Sequence, residues 1–159
     1  MICETIVGKL NEIDTTGKTI EYVEIEWHEA FKKIHKKTTK EGREVGIRLN
    51  DEVLSRGLYE GDVIYADRTL LIAVKTPPCE VIRIHIAPDH TFMIAKTCYE
   101  IGNRHAPLFY GENIFTFVTP YNEPMFLMLS KLHGVTAEKT TMRLDFDKRI
   151  SATVHNHHH

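Results

Sequence analysis

The chain has no stretch approaching the roughly eighteen consecutive apolar residues of a membrane-spanning helix. Its first ten residues, MICETIVGKL, carry no long apolar run behind a basic stretch, so a cytosolic location is the expectation. There is no basic surplus either. Twenty Lys and Arg stand against 22 Asp and Glu, for a formal charge of −2, and a polyphosphate partner would find little counterion-release drive here. Proteins and small ions are the partners such a charge favours. The three cysteines, Cys3, Cys79 and Cys98, are odd in number and include no CxxC pair, which argues against a disulfide framework and a structural zinc knuckle and leaves them as reduced thiols. No HExxH motif is present, so a zinc-hydrolase site of that kind is excluded.

What remains is an ordinary globular composition, 42% hydrophobic and 26% charged, with one excess. Ten histidines occur in 159 residues, and four of them, His155, His157, His158 and His159, fall in the last five positions.

The first seventy-five residues alternate apolar and polar side chains, as in Glu21-Tyr22-Val23-Glu24-Ile25-Glu26-Trp27 and Glu44-Val45-Gly46-Ile47-Arg48-Leu49. A period of two predicts a small all-β domain over residues 1–76. The basic run from Lys32 to Lys37 reads as a solvated strand or loop face. Thr76-Pro77-Pro78 is the strongest punctuation, because consecutive prolines lack the amide hydrogens of a ladder or helix. Beyond it we expect strands over Glu80–Ile86, Leu108–Tyr110, Asn113–Val118 and Lys139–Leu144, with helices over Thr91–Asn103 and Glu123–His133. That order is βαββαβ, a ferredoxin-like unit over residues 77–147. Residues 148–159 are little apolar and are expected to form a flexible His-rich tail.

On the helix Thr91–Asn103, a period of 3.6 places Ile94, Cys98, Ile101 and His105 on nearly one face, with His105 ending an apolar stripe. A histidine in that place is ordinarily a packed core residue. Cys98 and His105 could suggest a thiol nucleophile, but two helical turns separate them by about 10 Å, beyond hydrogen-bond reach. His28, His35, His85, His90 and His133 are read as structural or surface residues, His133 as favoured at a helix C-terminus by the dipole. An extended tail can wrap the closely spaced His155, His157, His158 and His159 around an ion, and its mobility suits release better than permanent storage. An expression tag is the competing reading of this tail, against which stand Asn156 and a run of only three histidines.

The segment Ile101-Gly102-Asn103-Arg104-His105-Ala106-Pro107-Leu108 resembles the Gly-Asn-Arg-His signature of the UreE family of urease accessory nickel chaperones. The resemblance extends to Trp27 with its preceding acidic stretch, Ile47-Arg48-Leu49, Gly61-Asp62-Val63, Cys98-Tyr99-Glu100 and the histidine-containing C-terminus, and so covers almost the whole chain. It implies a peptide-binding β domain, a ferredoxin-like domain that binds metal and dimerises, and His105 facing its symmetry mate across the dimer axis. The metal ligands expected on this basis are His105, His155, His157, His158 and His159, since two imidazoles alone leave Ni²⁺ short of its four to six donors. Zn²⁺ and Cu²⁺ are expected to bind such a set in vitro, Cu²⁺ more tightly than Ni²⁺. Expected partners are a second copy of the chain, with tetramers where metal is shared, an accessory GTPase and the urease pre-activation complex. The alternative is a non-catalytic interaction adaptor whose tail binds metal incidentally.

Overall fold

Alternation builds the first of two compact units, Met1–Pro77, in a computed structural model that describes residues 1–150. Its elements are β1 (Ile2–Cys3), β2 (Gly8–Lys9), β3 (Thr19–Glu24), β4 (Ile34–Thr38), β5 (Glu44–Arg48), α1 (Val53–Arg56), β6 (Asp62–Ala66) and β7 (Leu70–Lys75). They form a three-stranded sheet, β1-β5-β4, and a four-stranded sheet, β2-β6-β7-β3. β7 lies between β6 and β3, parallel to β3 from Thr19↔Leu70 to Glu24↔Lys75. Every residue of β7 except Lys75 is buried, as expected of a short apolar run inside a sheet. β3 alternates instead from Glu21 onward, burying Glu21 and Val23.

Three features depart from the period-two expectation. The strand expected through Trp27 stops at Glu24, and Trp27–Glu29 forms a single 3₁₀ turn closed by a capping box between Glu26 and Glu29. Lys37 Nζ holds the Glu29 carboxylate at 2.9 Å. The basic run supplies β4, in which Lys36 is exposed while His35 is only 7% exposed. Its Nε2 lies 2.9 Å from the Lys32 carbonyl and donates to it. The turn of helix α1, unheralded by any apolar stripe, ends at Gly57, where φ is +80° and a Cβ would meet the Phe31 ring at 2.8 Å, so glycine is required twice over.

The Gly61-Asp62 turn has a buried anchor. Asp62 is 0% exposed and accepts from Arg56 Nη1 and Nη2 at 2.7 and 2.9 Å and from the Tyr59 N–H at 2.8 Å. Lys9 Nζ approaches it at 2.8 Å. Burial pushes the carboxyl up, but these donors outweigh it and hold the pKa below the usual value.

The second unit begins at Pro78. It runs β8 (Cys79–Ile86), α2 (Phe92–Asn103), β9 (Phe109–Tyr110), β10 (Thr116–Pro120), α3 (Glu123–Ser130) and β11 (Val135–Met142). The sheet order β11-β8-β10-β9, antiparallel throughout, is the ferredoxin-like arrangement of a βαββαβ chain. The molecule is therefore α+β, with a β-rich unit followed by a ferredoxin-like one. Alternation in β8 sends Ile82, Ile84 and Ile86 to the helix-covered face, where they pack with Met93 and Ile101 of α2 and Met125 and Leu129 of α3. Each fully buried isoleucine contributes roughly 1.5–3 kcal/mol.

Element ends differ from expectation for local reasons. The last strand begins at Val135 because β11 pairs with the whole of β8, from Val135↔Ile86 to Met142↔Cys79. Helix α3 is capped by Asn122, whose Oδ1 accepts from the Met125 N–H at 2.8 Å. It stops at Ser130, which leaves His133 beyond its end. Among the described residues no helix is long and apolar enough to cross a membrane.

Candidate functional site: the turn after helix α2

His105 does not continue the α2 stripe. The last helical residue is Asn103, and His105 adopts φ +57°, the one left-handed non-glycine residue among those described. The Ala106 N–H donates to the Ile101 carbonyl at 3.4 Å and the His105 N–H to that of Gly102 at 2.9 Å. This pair of bonds is a Schellman termination with His105 at the position glycine usually takes. Its apolar partners are in place too, since Ala106 packs in the cluster that contains Ile101. A left-handed L-residue costs about 1–2 kcal/mol, so the imidazole is held at this corner against local preference, and strain of that kind points to function.

The corner is reinforced from behind. Arg104 Nη1 donates to the Glu100 carbonyl at 3.0 Å and to Glu100 Oε2 at 2.7 Å, an i,i+4 pair. Asn103, Arg104 and His105 are all exposed. Cys98, by contrast, is half-buried in the core, and burial pushes its thiol pKa up, away from nucleophilic thiolate character. Cys98 and His105 thus share no helix face. No disulfide joins Cys3, Cys79 and Cys98.

The exposed side of α2 carries an apolar row beside Lys96 and Asn103. Phe92, Ala95, Tyr99 and Gly102 recur at offsets of three, seven and ten and are all exposed, Phe92 by 69% and Tyr99 by 68%. This second stripe, opposite the buried Met93, Thr97 and Ile101, ends at the turn that carries His105.

His155, His157, His158 and His159 lie outside the described residues. Among those described, no three His, Cys, Asp or Glu side chains converge on one ion. The other histidines are distributed. His85 stands exposed on β8, and His28 lies edge-on to Trp27. His90 and His133, far apart in sequence, meet with ring centroids 4.8 Å apart.

Two family models match the chain in tandem: the UreE urease accessory protein N-terminal domain over residues 3–76 and its C-terminal domain over residues 79–159. The chain belongs to the UreE family. Urease accessory proteins UreE from Helicobacter pylori (strain G27) and Helicobacter acinonychis (strain Sheeba) are 39% and 38% identical to it, over 97% and 98% of this chain and 88% and 90% of their own lengths. UreE from Helicobacter bizzozeronii is 33% identical over 96% of the chain and 84% of its own length. The two UreE domain matches coincide with the β-rich and ferredoxin-like parts of the fold.

Proposed function

We propose that this UreE-family chain is a nickel carrier of urease maturation, a cytoplasmic homodimer that takes up Ni²⁺ as cargo, hands it on and catalyses no reaction. The observation that carries the reading is the left-handed, exposed His105, held at a helix terminus in a conformation glycine would adopt more easily. A second copy of His105 across a two-fold axis supplies the matching imidazole. The apolar stripe Phe92, Ala95, Tyr99 and Gly102 supports that dimer, because large exposed aromatic residues in a contiguous row mark an association surface.

Two imidazoles leave a divalent ion short of ligands, and His155, His157, His158 and His159 complete its coordination. An incomplete two-His core binds reversibly, which a carrier needs and a structural site does not. The ion passes to the accessory GTPase and the urease pre-activation complex. Zn²⁺ and Cu²⁺ enter the same donor set in vitro.

Calorimetric titration of Ni²⁺ into the full chain, a His105→Ala variant and a chain ending at Val154 tests the reading, with mass from light scattering. One tight ion per dimer, abolished in His105→Ala, is the expected result. Should His105→Ala bind as tightly as the parent while only the truncation loses affinity, an interaction adaptor with an incidental metal-binding tail becomes the better account.

A further inference from the structure

At the opposite end of α2 from His105, two turns of the ferredoxin-like unit are tied together. The Ala87 N–H donates to the Gly134 carbonyl at 2.8 Å, and the His90 N–H donates to the Ala87 carbonyl at 2.8 Å. Gly134 has φ +76°, and a Cβ there would stand 2.6 Å from Cγ of the His90 ring. The backbone at 134 is therefore cleared for that imidazole. The His90 side chain is 23% exposed, with Phe92 alongside at 5.9 Å between ring centroids. His133, beside Gly134, is exposed and meets the His90 ring at 4.8 Å between centroids.

Two properties of this pair fit a metal ion. Imidazoles sharing one ion, each with a metal–nitrogen distance of about 2.0–2.1 Å, place their ring centroids roughly 4.5–5 Å apart. The observed separation falls in that range. Asp89 Oδ1 lies 2.8 Å from His90 Nδ1, so the carboxylate draws the ring proton to Nδ1 and leaves the Nε2 lone pair for a ligand. That is the usual carboxylate–histidine arrangement behind a metal-bound imidazole.

We propose that His90 and His133 form a second binding site for a divalent transition-metal ion of the nickel, zinc and copper class, with Asp89 positioning His90. The site is independent of the His105 turn, because the twelve residues of α2 separate the two by about 18 Å. Two protein nitrogens leave the rest of the shell to water, so the site is open and exchanges its ion readily. Hard cations such as Mg²⁺, which seek oxygen ligands, are not retained.

The test is a titration of paramagnetic Ni²⁺ into the full-length, ¹⁵N-labelled His105→Gly protein, followed by amide spectra. Broadening centred on Asp89–Phe92 and on His133–Val135 is expected, and Mg²⁺ at the same concentration leaves those signals in place. In His133→Gln, an exposed substitution that leaves the Asp89–His90 contact intact, the broadening at these two turns disappears. In Asp89→Asn its midpoint rises about tenfold. The proposal fails if the two turns stay sharp while the tail broadens, if His133→Gln broadens like its parent, or if Mg²⁺ produces the same change. The same titration of the unsubstituted protein reports Gly102–Ala106 separately, so loss of one site is distinguishable from loss of the other.

Discussion

The His105 N–H donates to the Gly102 carbonyl at 2.9 Å with His105 itself at φ +57°, so a histidine closes helix α2 where glycine is the ordinary choice. Glycine at 105 would keep the turn and remove the left-handed penalty. His105→Gly is therefore expected to unfold at an equal or higher temperature than the parent, gaining up to about 1 kcal/mol, while losing the tight Ni²⁺ event. A thermal melt paired with the nickel titration checks this, and a large fall in Tm would show that the imidazole is mainly structural.

Arg104 buttresses the same corner through Glu100. Both side chains are substantially exposed, 43% and 30%, and exposed pairs contribute roughly 0.2–1 kcal/mol. Arg104→Ala should weaken Ni²⁺ binding no more than about five-fold and leave the fold intact. Abolition of binding in this variant would mean that Arg104 touches the ion's environment directly.

Asp62, at 0% exposure, is buried more deeply than Glu21, at 4%, in the first unit. In Asp62→Asn, Arg56 and Lys9 lose their counter-charge, and breaking such a pair on one side costs about 3–5 kcal/mol. The low end, about 3 kcal/mol, is expected because the Arg56 and Lys9 side chains are 31% and 34% exposed and water screens them. Urea denaturation gives the number, and a loss under 1 kcal/mol would contradict it.

His35 makes stability fall on mild acidification. Burial lowers its folded-state pKa below the reference of 6.5, with the hydrogen bond to the Lys32 carbonyl opposing. The unfolded chain takes up the proton first as pH drops through 6.5, so stability is full above that value and declines toward the lower folded-state pKa. Asp62 and Glu21, whose pKa values are lowered from 3.8 and 4.5, withdraw their contributions only at more acid pH. In metal-free protein, unfolding free energies at about pH 7 and about pH 5.5 should differ less in His35→Gln than in the parent; an unchanged difference assigns the pH dependence elsewhere.

Much of the architecture could be read along the chain because it rests on local periodicity. Alternation marked β3 and β5, the apolar run marked β7, and helix and strand signals after Pro78 yielded the βαββαβ order. The period fails where a side chain overrides it. Glu26 and Glu29 cap each other and end the strand before Trp27. The helical stripe ends two residues short of His105; Gly102 in the last turn and Pro107 just after it are the signs along the chain that the helix stops there.

By itself the sequence determined most of the strands and helices, their order, and the position of the signature histidine along the chain, because these depend on residue type and spacing. Only the tertiary structure decided what stands next to what. It put His105 in the left-handed region through hydrogen bonds from the following turn to Ile101 and Gly102, and it left the α2 stripe of Phe92 and Tyr99 uncovered. It also brought His90 onto Gly134 and beside His133, because β11 pairs with β8 along its full length and so carries the turn before β11 to the turn that follows β8. Long-range pairing of that kind leaves no trace in the spacing of residues along the chain.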